Sequence, residues 1–140
     1  VHAAGPVRLA GSLIADGSPT STFGGPSGGG IWVTAERFSF LPGSRLQARG
    51  GYSGYSYSGG GGGRIALGIH LTGEDLAQLA ATGLPVSPAA TLEAPAFLDR
   101  YPGVTVDVTP VTVREDEKSA QPGTFVLLDA TRRGTMLLLR

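Results

Sequence analysis

The sequence contains no cysteine, which excludes disulfides, thiolate nucleophiles and sulfur-ligated zinc while leaving the redox compartment open. Charge is also scarce, at 16% of 140 residues, and it is balanced at 11 basic and 11 acidic side chains. The single lysine, Lys118, and the scattered arginines do not make the clustered positive surface that a nucleic-acid backbone requires, so no nucleic-acid partner is expected. No apolar run approaches the roughly 18 to 20 residues that cross a bilayer, so no membrane insertion is expected. The chain starts at Val1 with no targeting stretch after it, and is read as a fragment or a processed subunit.

Histidine is limited to His2 and His70, neither with a second His at ligand spacing, so neither a metal nor another cofactor is expected. No Gly-x-Ser-x-Gly elbow is present, and a Ser–His–acid arrangement would have to use one of these two histidines. The glycine tract 59–63 is followed by Arg64 rather than Lys-Ser or Lys-Thr and leads into a strand pattern, which excludes a phosphate loop. Asp16, Glu36, Asp99 and Asp107 are the carboxylates that a glycosidase pair would need, but nothing in the spacing brings two of them together. The expectation is that the chain is not an enzyme.

What the chain has in abundance is glycine, 23 residues, together with 10 prolines. Seventeen of the glycines lie at or before Gly63, and there the sequence repeats. Leu13-Ile14-Ala15-Asp16-Gly17 returns as Leu46-Gln47-Ala48-Arg49-Gly50, an offset of 33 residues. Gly28-Gly29-Gly30 before Ile31-Trp32-Val33 returns at the same offset as Gly61-Gly62-Gly63 before Arg64-Ile65-Ala66. A fixed period of this size is what stacked repeats show, because each unit buries its face against the next. Each copy is expected to hold two short strands, at 13–16 and 31–35, then at 46–49 and 65–69, with Trp32 in the core.

These segments resemble the glycine-rich repeats of large secreted bacterial proteins, in which a glycine-led Ile-Trp-Leu-like strand, an Ile-x-Ala-x-Gly-Gly turn and a tract ending in Gly-Gly-Arg-Ile-Ala recur. Gly123-Thr124-Phe125-Val126-Leu127-Leu128 and Gly134-Thr135-Met136-Leu137-Leu138-Leu139 resemble the family's Gly-Thr-led strands. The resemblance implies parallel β-helices in adhesin-like or polysaccharide-associated surface proteins, and it supplies no catalytic residue. The fold expected is accordingly all-β: a right-handed parallel β-helix, or solenoid, with glycine-rich turns, a short inserted helix and a Pro-rich loop. One domain spans 1–140, with a repeat region at 5–70, a helix and Pro-rich excursion at 71–103 and returning strands at 104–140.

Within the excursion, Thr72 and Asp75 have capping-box spacing, and Leu76, Leu79 and Ala80 make one apolar face before Gly83 and Pro85 end the helix. Residues 84–102 carry four prolines and are read as an irregular loop whose Phe97, Leu98 and Tyr101 cover the flank of the strands. Alternation resumes at Val104, Val106 and Val108, residues 114–118 form a charged turn, and strands at 124–128 and 135–139 follow, the latter awaiting a neighbour.

The best contact candidates are Tyr52, Tyr55 and Tyr57, phenols set among Ser and Gly that can stack on sugars or dock a protein, or else pack over the glycine strands. The function expected is a non-catalytic structural or adhesive module of a secreted or cell-surface bacterial protein. The alternative is a carbohydrate-binding or accessory part of a polysaccharide-active protein. The partners expected are other segments of a larger parent protein or neighbouring subunits, and also polysaccharide.

Overall fold

The computed structural model describes residues 1–21, 24–54, 59–82, 90–111 and 120–131. The chain first lays down β1 (Val7–Leu9), β2 (Ser12–Ile14) and β3 (Gly30–Ala35), each in a different sheet. It then lays β4 (Phe38–Phe40), β5 (Arg45–Gln47) and β6 (Arg64–Ile69) parallel to them in the same order. Parallel neighbours need long connections. Here each connection runs through the other two sheets.

After β6 the pattern changes. Helix α1 (Gly73–Thr82) is followed by β7 (Ala90–Leu92) and a second helix, α2 (Ala94–Arg100), before β8 (Thr105–Asp107) joins β5 and β9 (Thr124–Asp129) joins β6. Strand β7 runs antiparallel along the far edge of β9. The three sheets therefore hold two, three and four strands, in the orders β1-β4, β2-β5-β8 and β3-β6-β9-β7.

Side-chain alternation decides which face of each strand is interior. Ile31, Val33 and Ala35 on β3, Ile65, Leu67 and Ile69 on β6, and Phe125 and Leu127 on β9 point the same way and meet Leu46, Ala48 and Phe38 in one core. Trp32 lies between the inward positions. It is 39% exposed on the outer face, which corrects the expectation of a core tryptophan. Phe97 of α2 is wholly buried, with its ring centroid 4.6 Å from that of Phe125 and 5.6 Å from that of Phe40. In the third passage α2 thus delivers the apolar groups that β1 and β4 deliver in the first two.

The expectation of an all-β, right-handed parallel β-helix is corrected by these elements. Two helices interleave with the strands, α2 is part of the core, the third sheet is mixed, and the three sheets are separate and open. The molecule is a compact α/β domain. The irregular loop expected at 84–102 contains β7 and α2, and each early repeat holds three strands rather than two. The inserted helix has the reciprocal cap: the Thr72 amide and hydroxyl donate to Asp75 Oδ2 at 2.8 and 2.7 Å, and the Asp75 amide donates to Thr72 Oγ1 at 3.2 Å. The expected charged turn at 114–118 and strand at 135–139 lie outside the described residues.

Close backbone approach explains why glycine dominates the first half. A Cβ on Gly60 would sit 1.8 Å from the Pro26 carbonyl oxygen, and one on Gly50 would sit 1.8 Å from that of Gly60. Neither separation is physically attainable, so these successive passages touch only because no side chain stands between them.

Candidate functional site

The register of the second sheet aligns Asp16 with Arg49 and sets Asp107, the partner of Gln47, beside them. Asp16 lies just beyond β2, Arg49 just beyond β5, and Asp107 ends β8. Arg49 Nε is 3.5 Å from Asp16 Oδ2 and 3.8 Å from Asp107 Oδ2, and Arg45 Nη2 is also 3.8 Å from Asp107 Oδ2. The Arg49 amide donates to Asp16 Oδ1 at 2.8 Å, and Gln47 Nε2 donates to Asp16 Oδ2. Burial by itself would raise the Asp16 pKa. The Arg49 amide, the Gln47 side chain and the Arg49 charge outweigh it and hold the carboxyl below its ordinary value. Asp107 Oδ1 accepts from the Thr109 hydroxyl at 2.7 Å and from its amide at 3.2 Å.

This arrangement brings together two of the four carboxylates singled out in the sequence, and gives them a structural task. Asp16 is kept ionised and has both oxygens occupied, so it is unsuited to donate a proton as a glycosidase acid must. Glu36 lies elsewhere, and Asp99 is exposed on α2.

Beside the ladder runs a groove of about 420 Å³ lined by Asp16, Ser18, Pro19, Arg49, Tyr52 and Val111, with the glycines 17, 50 and 51 among them. Tyr52 is 49% exposed there, while its carbonyl is fixed by the Thr20 amide at 3.0 Å. Tyr55 and Tyr57 lie outside the described residues.

A second groove, about 290 Å³, brings His2, Thr34, Glu36 and His70 to one end of the third sheet. His2 Nδ1 lies 2.6 Å from Thr34 Oγ1, and His70 Nδ1 lies 3.1 Å from Thr131 Oγ1. His70 has a left-handed backbone, φ 54°. Among the described residues no group of three or more His, Asp or Glu side chains is placed to hold a metal ion.

The third feature is one that sequence reasoning missed. The inward residues of the first passage, Val7, Leu9, Leu13, Ala15 and Ile31, are only partly buried. Their register partners one strand further in include Phe38, Leu46 and Ile65, all buried. Among the described residues no strand pairs with the outer edge of β1 or of β2, and Ile14 on that edge is 58% exposed. The outer edge of β3 is occupied by the chain itself. The Thr34 amide donates to the Val1 carbonyl at 3.0 Å, and the Ala3 amide donates to the Thr34 carbonyl at 2.9 Å, in a parallel bridge.

No protein-family model, curated protein or solved structure matches the chain. The resemblance to glycine-rich repeats of secreted β-helical proteins is corrected by the α/β architecture, in which two helices pack with the sheets. The reading as a structural or adhesive repeat module, with its alternative as a carbohydrate-binding or accessory part of a polysaccharide-active protein, is corrected with it. The chain is a small globular domain with a clustered aromatic core and ion pairs whose carboxylates are largely shielded, not an extended array.

Proposed function

We propose that the chain is a non-catalytic partner-binding domain that takes up an extended polypeptide segment along the open edge of β1 and β2. The segment comes from a neighbouring subunit or from elsewhere in a larger parent protein. The observation that carries this reading is the step in burial between the first passage and the second: Leu13 is half-buried where its partner Leu46 is fully buried.

Strand addition supplies what that edge lacks. In a parallel ladder alternate residues turn their main-chain groups to opposite sides. Leu13 and its neighbours Gly11 and Ala15 face β5, as the bonds from the Arg45 amide to the Gly11 carbonyl and from the Ala15 amide to the Gln47 carbonyl require. Ser12 and Ile14 therefore turn theirs outward, and an added strand would pair with them while covering Leu13 and Val7. Uncovered edges of this kind favour pairing with another chain. The way residues 1–3 already lie along β3 supports a parallel segment as the occupant.

The test is a photo-crosslinking residue at position 14 in the full-length parent, compared with one at Glu74 on the exposed side of α1. A discrete adduct with a strand-forming segment at position 14 alone, lost on Leu13→Lys, is the expected result. Absence of any adduct at position 14 would overturn the reading.

A further inference from the structure

We propose that the groove beside Tyr52 is a binding site for a neutral sugar ring, the phenol forming its platform and the Asp16–Arg49 pair its polar wall. This stands on a different observation from the open edge, so either reading survives failure of the other. It gives the polysaccharide partner expected from the sequence a specific seat that does not depend on a repeat array.

A sugar ring presents a C–H face and a rim of hydroxyls, and a site for it needs an exposed aromatic face next to fixed polar groups. Tyr52 is a large, 49% exposed aromatic whose main chain is fixed, so presenting its ring costs little ordering. Pro19 and Val111 add apolar wall without further charge. Gly50 and Gly51 leave bare backbone along the groove, and the close packing of both against neighbouring main chain excludes any side chain there.

The polar wall is preorganised. Arg49 is held by Asp16 and Asp107 through Nε, and its side chain is 46% exposed beside the groove. Ser18 contributes an exposed hydroxyl. The site's charges balance: Asp16 and Asp107 against Arg45 and Arg49. A uronate would meet two fixed carboxylates beside its only cations, whereas a neutral pyranose bears hydroxyls that both donate and accept. This selects neutral sugars over acidic ones.

The experiment is a calorimetric and NMR titration with neutral gluco-, galacto-, manno- and xylo-oligosaccharides and with oligouronates. A neutral member should shift the Tyr52 ring and Arg49 Nε resonances. Tyr52→Ala should weaken that binding about tenfold or more, equivalent to about 1.4 kcal/mol, while Tyr52→Phe retains it. Ser18→Arg, which fills the groove from an exposed position, should also abolish it and guards against a folding effect at Tyr52. Absence of binding across the neutral panel, undiminished binding by Tyr52→Ala, or tighter binding of uronates would overturn the proposal.

Discussion

Arg49 holds Asp16 and Asp107 together, its Nε 3.5 Å from one carboxylate and 3.8 Å from the other, although one follows the first strand of their sheet and the other ends the third. The pairing welds the sheet across its width at the rim of the Tyr52 groove. Because the guanidinium is nearly half exposed, solvent screening limits each pair to about 0.2–1 kcal/mol. Arg49→Met also leaves two carboxylates facing each other, so the expected loss is about 1 kcal/mol, read as a fall of a few degrees in melting temperature.

Acid should unmask the same ladder. The folded pKa of Asp16 lies below its ordinary value of 3.8, so the stability it contributes is complete above that value and is lost as pH falls through the lower, folded one. Asp129 behaves alike: burial raises its pKa, but the Thr131 hydroxyl, Arg100 and the Thr131 amide lower it further. Melting temperature is therefore expected to be level from neutral pH to about 5 and to fall below about 4. Asp16→Asn should flatten that acid limb, and an unchanged limb would contradict the assignment.

Phe97 tests the contribution of α2. Its ring is wholly buried and touches Phe40, Tyr101 and Phe125. Truncation to Ala is expected to cost about 3–5 kcal/mol in urea denaturation, because the cavity would join three elements. A loss below about 1 kcal/mol would mean that the helix is peripheral to the core.

Glycines should divide sharply by position. Gly60→Ala drives a methyl into the Pro26 carbonyl and is expected to prevent folding or lower the melting temperature steeply. Gly11→Ala meets nothing within 4 Å and should be neutral or stabilising by about 0.4–1 kcal/mol. Equal effects at the two sites would refute the close-approach account.

Much of the strand pattern was legible, because apolar alternation is a local property. The 33-residue offset holds in the structure at Leu13 and Leu46 and at the parallel bridge between Thr20 and Ser53. One strand later it slips: Ile31 pairs with Ile65, not Arg64. The sequence contained the warning, since a one-residue shift reverses every side chain and would have turned Arg64 inward. The pair β1 and β4 escaped notice because three residues carry almost no periodicity and Val7-Arg8-Leu9 shares no identity with Phe38-Ser39-Phe40.

Helix α2 was hidden by its own proline and those flanking it, although Pro95 stands in the first turn, where a missing amide costs nothing. The Tyr52 position in a groove follows from tertiary contacts between Gly17, Gly51 and Pro26 that no spacing encodes. Asp16 and Asp107 could not be paired from sequence, because Arg49 joins them only once three strands are in register.

The open edge is tested most directly by amide hydrogen exchange on the dilute chain. The Arg8, Ser12 and Ile14 amides are expected to exchange at least about 100-fold faster than those of Leu46 and Leu67, and to slow only when a partner segment is bound. Amides at 8, 12 and 14 as slow as those of the core in the isolated chain would show that the edge is already covered, and would contradict the proposed function.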